Sequence, residues 1–201
     1  RMSRGLGDVY KRQAQYFYEE KNDIWVTTWN KLYNLSFLRE FHIHFLEHVY
    51  HEDIVMHAML ALNTRSFTLT NRTTYLYNCK REDSITNMEQ GYTLKHLNDL
   101  TIVFSEIRRL IQADNNLSKH LQKEINLYYL FEIYHRYLPA MYSNIKKVDL
   151  IKGLARLSQN CLPPILETRL TFKSIKRFLF LKLPFNIQYL IKSHKYKKSR
   201  V

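Results

Sequence analysis

Three stretches after residue 87 repeat apolar side chains at intervals of three, four and seven residues, and this pattern predicts three amphipathic helices. The stripes are Leu97, Leu100, Phe104, Ile107 and Ile111, then Leu117, Leu121, Ile125, Tyr128 and Phe131, then Ile145, Val148, Ile151 and Leu154. Breaks fall at 114–116 and at 138–143, which contains Pro139, and Pro163 and Pro164 end the third helix. The sequence therefore predicts a mostly helical region here.

The preceding part of the chain predicts a mixture of helix and strand. Residues 29–41 have helical spacing, 43–50 suit a short extended connection, and 51–62 open with acids and become apolar, as a helix N-terminus does. Segments 66–70 and 73–79 are β-branched and aromatic, which favours two strands of a hairpin.

Composition excludes two classes of protein. The chain has 201 residues, enough for one domain or half of a larger one, and its 14% aromatic content is too apolar for a disordered coil. It has only two cysteines, Cys79 and Cys161, so a disulfide scaffold is excluded and we expect reduced thiols.

The formal net charge of +13 is concentrated at the two ends of the chain. Residues 1–13 contribute +3, and residues 169–201 contribute +10 because they hold ten cations and no acid. Residues 14–168 sum to zero. The run 3–13 resembles the translation of a sequencing adaptor, so we expect 1–13 to be an artefact and the natural protein to extend upstream of Ala14.

Several short motifs follow one another between residues 29 and 86: WNKLY at 29–33, Phe37-Leu38, Ile43 with Phe45, HED at 51–53, and Tyr75 with REDSIT at 81–86. In this order and spacing they resemble the C-terminal part of the catalytic domain of family 2 glycosyltransferases. The resemblance implies an α/β fold, a truncated GT-A (Rossmann-like) remnant followed by a mostly α-helical C-terminal region. Its parts would be an acceptor-side segment at 14–87, a helical extension at 88–168 and a basic tail at 169–201.

The resemblance also implies that Asp53 is the base of an inverting transfer, taking a proton from the acceptor hydroxyl, with Glu52 orienting the acceptor or Asp53 itself. Trp29, Asn30 and Lys31 would bind the acceptor. The residues themselves leave a second interpretation open, in which Glu52 and Asp53 only complement the helix dipole and Trp29 belongs to the core.

Donor binding is implied for Arg81 and Ser84, near the phosphates of the nucleotide sugar. Arg81 could equally be a solvated charge, and Cys79 replaces a basic residue common in the family. A divalent metal, Mn or Mg, would serve the intact enzyme, but its D-x-D motif is absent from this chain, so we expect the chain alone to be inactive.

Five histidines lie between residues 42 and 57, yet Val55 breaks the HExxH pattern of zinc enzymes. A dedicated zinc site is therefore not expected. His51 could complete a donor-metal site in the whole enzyme; otherwise these histidines are ordinary surface or core residues.

The tail at 169–201 mixes its cations with apolar residues, which suits an anionic membrane surface, and Pro184 predicts two short helices. No stretch could span a bilayer, so we expect a cytoplasmic protein held peripherally at the inner face of the cell membrane. The alternatives are a C-terminal helix packed on the body, or a non-catalytic helical module whose tail binds membrane or nucleic acid. The neutral body argues against nucleic acid.

Overall fold

A computed structural model describes residues 14, 17–18, 27–64, 66–68, 76 and 92–198, with side chains up to residue 192. In these residues the chain forms α1 Leu35–Glu40, α2 Glu52–Asn63, α3 Leu94–Ala113, α4 Lys119–Met141, α5 Lys147–Asn160, α6 Phe172–Lys182 and α7 Phe185–Lys198. A short 3₁₀ turn, Ile165–Glu167, precedes α6.

Helix α2 is buried around its whole circumference. All eight residues from 54 to 61 are buried, so the apolar sequence IVMHAMLA leaves no solvent face. A short helix that is apolar all round has its place inside a protein, surrounded by other elements. The first turn of α2 is half-buried, and Glu52 and Asp53 lie there.

Helix α3 packs closely against both α2 and α5. The closest approach is at Gly153 in α5, where an added Cβ would lie 2.5 Å from Leu97 Cδ2. Leu97 is fully buried, so its side chain has little room to move. The apolar stripes of α3 and α5 thus meet at a contact where any side chain larger than that of glycine would displace the Leu97 side chain.

Helix α4 links the remaining elements, with contacts to α3, α5 and α6. Hydroxyl caps begin three helices: Thr93 for α3, Ser118 for α4 and Thr171 for α6. Each hydroxyl accepts a backbone N–H that would otherwise lack a partner.

The prediction of an α/β remnant is wrong for the part of the chain that the structure describes. That part is 68% helical and contains no strand. Residues 66–68 and 76, which belong to the predicted hairpin, have irregular backbone, and the rest of the hairpin lies outside the described residues. β-branched composition alone does not make a strand, since a strand needs a hydrogen-bonded neighbour. The described fold is a helical bundle.

Most of the predicted helices are present in the structure. Helices at 51–62 and over the three later stripes are confirmed, as is the division of the tail at Pro184. The helix predicted over 29–41 is shorter, because the Asn34 side chain caps a helix that begins only at Leu35. Pro139 does not break α4 at once, since it lies in the last turn of that helix.

The prediction that no segment spans a bilayer agrees with the helices in the described ranges, none of which is both long and apolar enough to do so. Both tail helices also contact the body, through the buried side chains of Phe180, Leu181 and Gln188.

Candidate functional site

Asp53 lies in the first turn of α2, where the buried helix begins. The residue that precedes the helix, His51, has left-handed backbone with φ 66°, and its side chain makes no capping hydrogen bond. Left-handed backbone is unfavourable for a residue with a Cβ, and such strain is concentrated at functional sites. The chain therefore enters α2 through a strained residue directly beside the two predicted carboxylates.

Burial is the main influence on Asp53. It raises the pKa of the carboxyl group above its usual value, and the neighbouring charge of Glu52 raises it further. Backbone N–H groups of Ile54 and of Asp53 itself, together with the charge of Arg136, act in the opposite direction. A carboxylate whose pKa lies closer to neutrality is a stronger base than one in water.

Lys31, in the irregular segment before α1, is influenced by the charge of Asp53. Burial lowers the pKa of its ammonium group, while the charge of Asp53 raises it. The Nζ atom donates to the backbone oxygen of Thr27 and, at 2.8 Å, to Oδ1 of Asn30. Of the three residues predicted to bind the acceptor, Lys31 is the one in electrostatic contact with Asp53; Trp29 and Asn30 are exposed neighbours in the chain.

A buried aromatic group adjoins this pair. His57, one turn along α2, lies edge-to-face with Phe17, with 4.3 Å between ring centres, and Phe17 contacts Tyr128 of α4 at 5.2 Å. Tyr18 and Tyr129 share a 2.8 Å hydrogen bond between their hydroxyl groups. Burial, helped by the charge of Lys31, lowers the pKa of His57 to about 3, so its imidazole is neutral.

Two charged residues of α4 complete the cluster. Glu132 and Arg136 form an ion pair at 3.2 Å with both side chains partly buried. The positive charge of Arg136 lowers the pKa of Asp53 and that of His51. On Tyr92 and Tyr128, the charge of Arg136 lowers the pKa and the charge of Glu132 raises it. We did not predict Glu132 or Arg136 from the sequence. The sequence does contain an indication of these two residues. Positions 128, 132 and 136 are four residues apart, so they fall on one face of the predicted helix and place polar groups beside its apolar stripe.

A second polar group surrounds the entry to α2. Tyr50 stacks on His96 with 4.1 Å between ring centres, and its backbone N–H donates to Asp99 at 2.9 Å. Lys95 pairs with the same carboxylate and also binds the backbone oxygen of His48 at 2.8 Å. These bonds anchor residues 48–50 to α3 and so hold the strained turn at His51 in place.

The role predicted for His51 in a donor-metal site of the whole enzyme stays a prediction. His51 has a buried Nε2 without a hydrogen bond, and burial, followed by the charges of Arg136 and His96, lowers its pKa to about 4. A neutral imidazole can bind a metal, but no group of three His, Cys, Asp or Glu residues gathers anywhere in the described ranges. Arg81 and Ser84, predicted to bind the donor phosphates, lie outside the described residues.

A separate groove of about 420 Å³ lies along α3 and is lined by Leu46, Thr101, Ile102, Ser105, Glu106 and Arg109. It shares no residue with the cluster around Asp53. Glu106 and Arg109 bind each other at 2.8 Å and satisfy their charges across one helical turn. We therefore take the Asp53 cluster, and not this groove, as the candidate site.

The carboxylate of Asp53 is the group of this cluster that can accept a proton. It holds a half-buried carboxylate with a raised pKa, a nearby ammonium group, and an ion pair and tyrosines behind them. In comparisons with known proteins, no protein-family model, no curated protein and no solved structure matches this chain. The candidate site therefore stands on its geometry and on the motifs of the sequence.

Proposed function

We propose that this chain is the acceptor-side part of an inverting glycosyltransferase, with Asp53 as its general base. The enzyme would move a sugar from a nucleotide-sugar donor to a glycan or lipid-linked acceptor in cell-surface polysaccharide synthesis. One observation carries the proposal: Asp53 is half-buried at the start of a helix whose next eight residues are buried, and burial there raises its pKa.

In the proposed step the carboxylate of Asp53 takes the proton of an acceptor hydroxyl as that oxygen attacks the anomeric carbon. A bond forms between the acceptor oxygen and the sugar, and the bond from the sugar to the nucleoside diphosphate breaks. Its electron pair leaves with the diphosphate. The raised pKa makes the carboxylate of Asp53 a better base than a carboxylate in water.

Neighbouring residues have supporting roles in this proposal. Lys31 would donate to an acceptor oxygen, with Trp29 and Asn30 at the exposed edge of the same segment, and Glu52 would orient the acceptor or Asp53. The Glu132 and Arg136 pair of α4 would hold the carboxylate in position from behind, because the charge of Arg136 already acts on Asp53.

Donor binding is proposed for residues outside the Asp53 cluster. Arg81 and Ser84 would contact the leaving diphosphate, since a guanidinium group suits a phosphate. The proposed Mn or Mg ion would be held by a D-x-D motif, which these 201 residues do not contain. We therefore expect the chain alone to transfer no sugar, and we derive no step that passes through a metal.

The test is sugar transfer from labelled nucleotide sugars by the product of the uninterrupted genomic reading frame that includes this chain. We expect a D-x-D motif before Trp29 and a loss of kcat of about 100-fold to 10,000-fold in Asp53→Asn. Glu47→Gln is the matched control, because Glu47 is an exposed acid a few residues away. Absence of the motif, or full transfer by Asp53→Asn, would contradict the proposal.

The competing hypothesis is a helical interaction module without catalysis. It predicts that no variant at Asp53 changes transfer, because there is no transfer to change. It is favoured by the helical bundle that the described residues form and by the basic tail, the second of which the glycosyltransferase hypothesis also accommodates.

A further inference from the structure

Helix α6 exposes a row of large apolar side chains. Phe172, Ile175 and Leu179 are 83%, 41% and 58% exposed, and their spacing of three and four residues places them on one face. The opposite face is held by the body, since Ser174 and Leu181 are buried. The helix is therefore fixed in place with an apolar row directed outward.

The segment before the helix extends this surface. Leu166, in the 3₁₀ turn, is 80% exposed, and Leu170 is more than half exposed. Thr168 between them is buried, and its hydroxyl donates to the backbone oxygen of Pro164 at 2.9 Å. The turn is thus anchored while its leucines face solvent, and exposed large apolar side chains grouped along one segment indicate an interaction site.

Lysines flank the apolar row. At 100° per residue, Lys176 lies on one side of the line through Phe172 and Leu179, and Lys182 lies on the other, with Lys173 further around. All three are exposed. Lys173 and Lys176 form no ion pair with any residue that the structure describes.

Other cations of the tail are used within the fold. Arg169 pairs with the buried carboxylate of Glu124 at 3.0 Å. The guanidinium of Arg177 lies 3.8 Å from the ring centre of Phe131, and Lys192 lies 5.2 Å from that of Tyr134. Lys182 also donates to the backbone oxygen of Ser158 at 3.4 Å. The cations that stabilise the packing of α6 and α7 are therefore distinct from the outward Lys173 and Lys176.

We propose that the outward face of α6, defined as Leu166, Leu170, Phe172, Ile175 and Leu179 with Lys173 and Lys176, binds an anionic membrane surface. The apolar residues enter the interface and the lysines lie at the lipid phosphates. Charge complementarity supports a lipid surface, because Lys173 and Lys176 lie beside the apolar row and no acid follows residue 168. A nucleic acid needs cations without an apolar row between them, so duplex DNA does not fit this face.

The experiment is cosedimentation of the full chain with vesicles of phosphatidylcholine alone or mixed with an equal amount of phosphatidylglycerol. We expect binding to the mixed vesicles that falls about tenfold in the pair Lys173→Gln/Lys176→Gln. The apolar pair Phe172→Ser/Leu179→Ser should lose about tenfold or more. All four positions are exposed, so the variants should keep the wild-type circular dichroism and melting temperature.

Two matched control pairs replace lysines and apolar residues that are exposed elsewhere in the fold. Lys147→Gln/Lys152→Gln and Ile102→Ser/Val148→Ser replace exposed residues of α3 and α5. They should retain wild-type binding. Equal losses in control and test pairs, or unchanged binding in both test pairs, would overturn the proposal. So would salt-dependent DNA binding without vesicle binding, or self-association that Phe172→Ser/Leu179→Ser abolishes while vesicles remain unbound. None of these outcomes depends on whether the chain takes part in sugar transfer.

Discussion

Burial drives both Asp53 and Lys31 toward their neutral forms, since it raises the pKa of the acid and lowers the pKa of the amine. In its charged form, each group would have a lower free energy in water than in the partly buried position that it occupies. The partial burial of both groups is explained if their charges serve a reaction, because sites that need reactive groups are built at the expense of stability.

His57 makes the stability of the fold depend on pH. Its pKa is about 3 in the folded chain, against 6.5 for an unperturbed histidine, so only the unfolded state takes up the proton between these values. The free energy of unfolding therefore falls as the pH drops from 6.5 to about 3, by about 1.4 kcal/mol per unit at most. Urea titrations at several pH values should show a shallower slope in His57→Gln. Exposed His135→Gln is the control, and equal slopes in all three proteins would contradict the prediction.

His51 is expected to destabilise the fold through its backbone. Its φ of 66° is favourable for glycine and unfavourable for histidine. His51→Gly should therefore raise the free energy of unfolding by about 1 kcal/mol, measured by urea denaturation. His44→Gly, at an exposed position with ordinary backbone, should give no such gain. A loss of stability in His51→Gly would show that the imidazole contributes more than the turn costs.

At the scale of the helix, Gly153 offers a test of the contact between α3 and α5. An alanine Cβ would press on Leu97, and such overpacking costs about 1 to 3 kcal/mol, offset by about 1 kcal/mol of helix propensity. Gly153→Ala should therefore destabilise the chain by about 1 kcal/mol in thermal or urea unfolding. In a Leu97→Ala background the same substitution should be neutral or stabilising, because the clash is gone. An equal cost in both backgrounds would contradict this packing.

The helices were predictable from the sequence because their signal is local. The stripe from Leu97 to Ile111 recurs on one face of α3, and the acids at 52 and 53 mark the start of α2. Strand content was not predictable in the same way, since composition cannot reveal whether a partner strand exists. The difference lies in the range of the hydrogen bonds, which are within the segment for a helix and between segments for a strand.

The candidate site was predictable only where its residues lie close in sequence. Asp53 and Lys31 come from neighbouring motifs, and the structure brings them into electrostatic contact. Arg136 comes from a helix more than eighty residues later, and only the packing of that helix shows that its charge acts on Asp53. Pairings of this kind depend on tertiary structure, which periodicity does not encode.

Across the molecule, charge is divided between a neutral body and a basic tail. The body holds the Asp53 cluster, and the tail provides the inward cations that fasten α6 and the outward lysines beside its apolar row. A lipid-linked acceptor would be held at the membrane, so binding of α6 there would raise the local concentration of such an acceptor for the proposed reaction.

The central claim is that Asp53 is kept at the start of α2 for its chemistry and not as a helix cap. The most direct measurement is urea unfolding of the chain and of Asp53→Asn at pH 7 and at pH 4. The pKa of Asp53 is raised in the folded chain, so the free energy of unfolding falls as the pH rises above the usual pKa of 3.8 and the carboxyl group ionises. Asparagine does not ionise, so Asp53→Asn lacks this loss. We expect Asp53→Asn to be more stable than the wild type at pH 7, by a margin that shrinks at pH 4. A loss of about 1 kcal/mol at pH 7, as for a removed cap, would contradict it.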